Sequence, residues 1–289
     1  MKKFKRIFIE ISNVCNLSCS FCPPTCRAPK TMSVKDFEKV MQRLEGHGDN
    51  VYLHIKGEPL LHPNFEEILA LCKAYNKKIH ITTNGTLLDR RGEVILKNSA
   101  VRLLSISLQS FEATDDEEAY IRYLDKVLSV VKKGLEETDI LFGLRLWNFE
   151  DATLVAKGKT QRTLDYIESY LGLSGPITIT DPKTNGLKLA HKVYISKGYE
   201  FDWPSMSHDL VAKEGTCYGL RRQIGILSTG EVVPCCLDAE GVITLGNILE
   251  SDFEAIVMSP QSVRIRTGFE NNRLVEPLCQ RCDYRERFV

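Results

Sequence analysis

Hydrophobic positions along this chain follow two alternating periods. Short runs rich in branched and aromatic residues, apolar at every second position or in an unbroken block, fall at 5–12, 50–55, 78–83, 101–108 and 139–147. That pattern predicts strands buried in a sheet. Between them lie segments whose apolar residues recur every three or four positions. Phe37, Val40, Met41 and Leu44 form one such stripe, and Phe65, Ile68, Leu69 and Cys72 form a second. A longer stripe within 117–135 carries Tyr120, Leu124, Val127, Leu128, Val131 and Leu135. These are the buried faces of amphipathic helices, and Ser33 with Asp36 resembles a capping box opening the first. Strands alternating with helices predict an α/β fold built on a parallel sheet. Parallel neighbours need crossover connections, and each gap is long enough for one helix. Five or six such units curved into a partial (β/α)6 TIM-like barrel over residues 1–200 are the simplest closure.

The pattern changes in the last third. Residues 223–228 and 231–235 read as a β-hairpin about a Thr229-Gly230 turn, followed near Phe253 by a short helix. Residues 201–289 therefore form a linker and a smaller domain. The joining stretch 181–203 carries Tyr194, Tyr199, Phe201 and Trp203, which are expected to pack between the two parts, a substrate lid being the other reading.

Composition narrows the class. A chain of 289 residues, 43% hydrophobic and 26% charged, can bury a barrel-sized core with an appendage. Net charge is zero and no basic block occurs, which disfavours a nucleic-acid partner. No apolar run approaches a membrane span, and the Lys2, Lys3, Lys5, Arg6 start is followed by too short and too charged a segment for an export signal. Ten cysteines without such a signal point to the reducing cytoplasm, where they serve as metal ligands more readily than as disulfides.

The chemistry-bearing residues gather at the C-terminal ends of the predicted strands, the edge where parallel α/β folds place their sites. The first strand ends in CNLSCSFCPP, which holds Cys15, Cys19 and Cys22 as C-x3-C-x2-C. Three thiolates can hold a cubane iron-sulfur cluster that normally takes four, leaving one iron open; a zinc knuckle is the competing reading. The second strand runs into Lys56, Gly57, Glu58 and Pro59, by itself a Gly-Pro turn with a solvated glutamate. The later strands end in Thr83, Asn84 and Gly85, in Ser105, Ser107 and Gln109, and in Arg145 and Asn148, each alone a common cap or turn former. A second cysteine set lies near the C-terminus: Cys217, Cys235, and the C-x2-C pair Cys279 and Cys282. Four thiolates saturate either a tetrahedral zinc or a complete cubane. Cys236 abuts Cys235, and spacing alone leaves open which of them is the ligand. Cys72 reads as core, Cys26 as a thiol beside the triad, and His54, His62 and His80 as packing or capping residues.

The triad, with Phe21 as the aromatic residue before its third cysteine, resembles the signature of the radical S-adenosylmethionine (SAM) superfamily. KGEP at 56–59 resembles that family's GGEP element, where the backbone and the glutamate receive SAM's amino group; Lys56 departs from the first glycine, and is expected to crowd the loop or pair with Glu58. The resemblance implies a SAM-binding [4Fe-4S] cluster on Cys15, Cys19 and Cys22, and SAM contacts from Phe21, Gly57, Glu58, Pro59, Asn84, Ser107, Gln109 and Arg145. The C-terminal set resembles the twitch domain, a shortened SPASM domain, which implies a second, auxiliary [4Fe-4S] cluster on Cys217, Cys235, Cys279 and Cys282. The implied activity is that of a radical SAM oxidoreductase or maturase. SAM is cleaved reductively to a 5'-deoxyadenosyl radical that abstracts hydrogen from a substrate, in a net oxidation or bond-forming modification fed by an external flavodoxin- or ferredoxin-type donor. The auxiliary spacing is like that of an aminocyclitol dehydrogenase of antibiotic biosynthesis, which favours a small polar substrate. A peptide-modifying maturase is the alternative, although the chain starts directly on its first strand, without a leader-recognition domain. A non-catalytic zinc-stabilised binding protein is the alternative from another class.

Overall fold

The computed structural model describes residues 3–109, 116–146, 159–177, 186–197 and 202–285. In chain order the elements are β1 (Arg6–Ile9), α1 (Val34–Arg43), β2 (Asn50–Tyr52), α2 (Phe65–Ala74), β3 (Lys78–Thr83), α3 (Leu88–Lys97), β4 (Val101–Ser107) and α4 (Glu117–Glu137). They continue as β5 (Leu141–Leu146), α5 (Lys159–Leu171), β6 (Leu187–Ala190), β7 (Val193–Lys197), β8 (Gln223–Ile226), β9 (Glu231–Val233), β10 (Gly246–Asn247), α6 (Phe253–Val257) and α7 (Pro260–Glu270). Two compact units result, one of residues 1–79 with 201–289 and one of residues 80–200.

In the first unit the strands lie in the order β10-β9-β8-β1-β2. β1 runs parallel to β2, with Ile7 opposite Val51, and parallel to β8, with Arg6 opposite Gln223 and Ile9 opposite Ile226. β8 and β9 form the expected hairpin, Ile226 facing Val232. It extends the sheet that β1 opens. Ile7, Phe8 and Ile9 are all buried, as a strand flanked on both edges requires. α1 starts where Ser33 Oγ accepts the Asp36 N–H at 3.0 Å, and it buries Phe37, Val40 and Met41. Each such side chain contributes about 1.5–3 kcal/mol of burial free energy.

In the second unit the order is β3-β4-β5-β7-β6. β4 is parallel to β5 and β5 to β7, while β6 returns antiparallel to β7. α4 is capped by Asp116 Oδ1, which accepts the Ala119 N–H at 2.9 Å, and it buries Tyr120, Tyr123, Leu124, Val127, Leu128 and Val131. α3 closes against α4 where Gly92 leaves room for Val130.

The mixed α/β architecture with its parallel sheet agrees with the expected class. β3 has its expected bounds, whereas the first two strands end earlier than expected because the residues there leave the ladder: Ser12 bridges Thr31 instead, and Leu53–Ile55 carry the chain toward the KGEP turn. The stretch 181–203 departs from its reading. It contributes β6 and β7, and Tyr194 on β7 points outward at 40% exposure while Val193 and Ile195 turn in, the ordinary alternation of a strand. Trp203 does pack, against a cluster of Phe8, Ile55, Leu227, Val233 and Ala239. Trp147, Asn148, Tyr199 and Phe201 lie outside the described residues. Among the described residues no helix is long and apolar enough to cross a membrane.

Candidate active site and metal centres

The triad sits on a loop clasped at its neck. Asn13 Nδ2 donates to the Ala28 carbonyl at 2.9 Å, Asn13 Oδ1 accepts the Lys30 N–H at 2.7 Å, and the Ser12 and Thr31 hydroxyls lie 3.1 Å apart. Beyond the clasp Cys15 is exposed and Cys19 and Cys22 are half-buried, with the Cys22 N–H donating to the Cys19 carbonyl at 3.1 Å. Phe21 is half-buried beside them. Thiolates need this access, since a cluster is delivered from outside.

The KGEP loop docks directly on that neck. Gly57 has φ +77°, and a Cβ there would stand 2.3 Å from the Ser12 carbonyl oxygen and 2.9 Å from that of Val14. Only glycine fits both the dihedral and the approach. The Glu58 N–H donates to the Val14 carbonyl at 2.9 Å, tying the two loops together. Glu58 is buried, and its Oε1 accepts the Leu60 N–H at 3.0 Å, capping a 3-10 turn over Pro59–Leu61 in which Pro59 is also buried. Lys56 neither crowds the loop nor pairs with Glu58. Its Nζ turns to the Pro23 carbonyl at 2.6 Å and the Cys22 sulfur at 3.5 Å, and lies 4.0 Å over the Trp203 ring.

Sequence reasoning missed the residue that fastens this assembly. Glu10, fully buried at the end of β1, accepts both Arg27 guanidinium nitrogens at 2.8 and 2.6 Å and the Lys56 N–H at 3.2 Å. It also accepts the Ser228 hydroxyl at 2.8 Å and the Ser228 N–H at 3.2 Å. Burial works to lower the Arg27 pKa, but the hydrogen bond and charge of Glu10 raise it above its ordinary value. An acid inside the apolar run IFIEIS was the available sign, because a carboxylate at an inward strand position demands partners.

In the second unit the predicted polar residues do fall at strand ends. Asn84 is buried after β3, its Oδ1 accepting the Thr86 N–H at 3.0 Å and the Thr86 hydroxyl at 2.7 Å, while Tyr123 donates to its carbonyl at 2.9 Å. Ser107 ends β4 opposite Arg145 on β5, with 3.4 Å between Nη1 and Oγ. Gln109 is buried, and its Oε1 has no hydrogen-bond partner among the described residues. Such an acceptor is open to a ligand that brings a donor.

The C-terminal cysteines converge. Cys217, Cys235, Cys279 and Cys282 line one cavity, together with Asp238 and Arg285 among others. Burial is the main force raising all four thiol pKa values, and among their mutual charges Cys235 is opposed by Cys217 and Cys279; Cys282 is pushed up to about 11. Free thiols there stay protonated until a cationic centre displaces the protons. Cys236 is absent from the lining, packs against the apolar cluster around Phe8, and has its thiol pushed up to about 12 by burial. Four thiols around one cavity supply the full set of protein ligands that a cubane cluster takes, so the donor set fits it. Cys72 is core on α2, with its pKa about 12 through burial, and His62 caps Asn64 while its Nε2 lies 2.9 Å from the Met32 carbonyl.

A parallel α/β scaffold carrying a solvent-reachable cysteine triad and a separate four-cysteine cavity has the donor sets of an iron-sulfur protein. The radical SAM superfamily model matches residues 9–156 and an iron-sulfur cluster-binding domain, SPASM, matches residues 217–283. The chain belongs to the radical SAM superfamily, whose members are enzymes, and the two domains imply a SAM-binding [4Fe-4S] cluster and an auxiliary cluster. It is 25% identical over 268 residues to the antilisterial bacteriocin subtilosin biosynthesis protein AlbA of Bacillus subtilis, covering 87% of this chain and 59% of AlbA. It is 29% identical over 140 residues to a GTP 3',8-cyclase of Synechocystis, covering 47% of this chain and 42% of that protein. The chain thus spans 59% and 42% of the lengths of these relatives. In fold it is similar to BtrN in complex with AdoMet and 2-DOIA, with TM-score 0.63, 18% identity, and coverage of 98% of this chain and 94% of BtrN. It is similar also to Streptococcus suis SuiB bound to its precursor peptide SuiA, with TM-score 0.58, 16% identity, and coverage of 98% and 72%.

Proposed function

We propose that this chain cleaves SAM reductively on a cluster held by Cys15, Cys19 and Cys22, and oxidises or cross-links a small polar substrate with the help of an auxiliary cluster held by Cys217, Cys235, Cys279 and Cys282. The docking of the triad loop on Gly57 and Glu58 carries this reading: it sets a three-thiolate site beside a carboxylate and a backbone turn able to take an amino group. When bound, the SAM-binding cluster supplies one electron to SAM and so the radical that removes a hydrogen atom from the substrate. The chain's own part is to position. Glu58, released from Leu60, accepts the methionyl ammonium; Gln109 Oε1 and Asn84 accept donors of the nucleoside; Ser107 and Arg145 offer a hydroxyl and a cation for its polar groups. An external flavodoxin- or ferredoxin-type protein provides the electron.

For the substrate, the auxiliary cysteine spacing and the likeness to BtrN along nearly the whole of both chains support a small polar molecule. The similarity to AlbA over 268 residues supports a second reading, a peptide. Anaerobic assay of 5'-deoxyadenosine release with aminocyclitols or with short peptides decides between them: the class that stimulates release and is itself altered is the substrate class. Serine variants of Cys279 and Cys282 that keep full product formation with an intact triad cluster would refute the auxiliary role.

A further inference from the structure

We infer that Lys56 is a positioning residue that donates a hydrogen bond to the Cys22 sulfur and sets the electron affinity of the cluster held by the triad. Three observations converge on its nitrogen. The residue is only 6% exposed, so water does not solvate the charge. An ammonium has three donors; here one goes to the Pro23 carbonyl at 2.6 Å, one reaches the Cys22 sulfur at 3.5 Å, and the remaining side rests 4.0 Å over the Trp203 ring. A buried charge ordinarily requires an opposite charge or a metal site, and Lys56 Nζ is directed at the triad's third sulfur. The group its Nζ faces is the Cys22 sulfur, one of the three that would ligate the proposed cluster.

The backbone explains why this lysine reaches the triad. Its N–H is fixed by Glu10 Oε2 at 3.2 Å, and the left-handed turn at Gly57 immediately after it directs the chain back over the loop neck. A glycine at this position, as in the GGEP element, offers no such donor. Reduction adds one electron to the cluster and makes it more negative. A cation and an N–H···S bond stabilise that form more than the oxidised one, which raises the reduction potential. The cluster is thereby easier to reduce than it would be above a bare turn.

Lys56 has this role only if the triad holds the cluster, as proposed above, and the two can fail separately. Dithionite titration of the reconstituted full chain without SAM, followed by electron paramagnetic resonance, gives the midpoint potential of each cluster; a variant with Cys15, Cys19 and Cys22 replaced by alanine identifies the triad's signal as the one it loses. Lys56→Met, which keeps the aliphatic stem, is expected to move that midpoint to a more negative value, and Lys56→Arg to return it toward wild type, with the auxiliary couple unmoved in both. If Lys56→Met does not take up the cluster, Lys56→Gln is titrated in its place with the same expectation. A midpoint unchanged on loss of the charge, or a shift as large in Lys56→Arg as in Lys56→Met, overturns the role of Lys56 alone. A wild-type spectrum identical to that of the alanine triple variant overturns the triad reading and this role with it.

Discussion

Glu10→Gln tests how the site is held together. The substitution keeps shape and most acceptors but removes the charge that Arg27 was buried against, and it turns one oxygen into a donor facing a guanidinium. Removing one partner of a buried pair costs about 3–5 kcal/mol because the other charge is left uncompensated. The Arg27 side chain retains 14% exposure and its partner none, so the lower end applies. Unfolding entropy near roughly 2.1 cal/mol/K per residue gives about 0.6 kcal/mol/K for a chain of 289 residues. A loss of about 3 kcal/mol thus lowers Tm by about 5 °C.

Anaerobic calorimetry of the apo chain measures this directly. Arg27→Met alone is expected to cost a comparable amount, because among the described residues it leaves buried Glu10 with Ser228 and the Lys56 N–H as donors. Replacing both Glu10 and Arg27 by methionine removes both charges and is expected to recover more than half of either loss, since an apolar pair of similar volume is often as stable as a buried ion pair. A Tm shift below about 1 °C for Glu10→Gln, or strict additivity in the double variant, would refute the assignment of Glu10 as the fastening of the triad loop.

Iron content after anaerobic reconstitution separates the neighbouring cysteines: roughly eight irons per chain for two cubanes should fall to about four in Cys235→Ser and stay near eight in Cys236→Ser. Gly57→Ala should weaken SAM binding by more than about tenfold in calorimetric titration, because the left-handed dihedral alone costs about 1–2 kcal/mol and the new methyl meets the Ser12 carbonyl; unchanged affinity would show that the KGEP turn does not shape the SAM site. In the apo chain, iodoacetamide should label exposed Cys15 and Cys26 first and buried Cys72 last. A raised thiol pKa means less thiolate at a given pH, so labelling of Cys282 should keep rising up to about pH 11, and a plateau near neutrality would contradict its burial.

Much of this arrangement was legible in the chain because period and spacing are local properties. The capping box at Ser33, the stripe of α4 and the hairpin around Gly230 were each readable from neighbours in sequence. The strand-end positions of Asn84, Ser107 and Arg145 followed from the same periodicity. What could not be read depends on contacts far apart in sequence. Glu10 and Ser228 are separated by 218 positions, and no periodicity announces that they meet. Lys56 was visible as a departure from a motif, yet its direction depends on where Cys22, Pro23 and Trp203 stand. Cys235 and Cys236 are equivalent by spacing; in the bend that follows β9 one turns into the cavity and the other into the apolar cluster, which no local pattern announces.

The pairing of β1 with the hairpin bears on how the two cysteine sites are built. β1 lies between β2 and β8, so the strand that delivers the triad loop is paired directly with the first strand of the hairpin that delivers Cys235. The register Ile9 opposite Ile226 brings the end of β1 beside the hairpin, and Glu10 then uses the next position to bond Ser228 on that strand's far end and Arg27 in the triad loop. A slip of one residue between β1 and β8 would turn Glu10 to the opposite face and break both bonds. The same backbone ladder therefore fixes the height of the triad loop and of the hairpin, and substitutions at Glu10 are expected to loosen both, while substitutions at the outer edge strand β10 leave the triad loop in place.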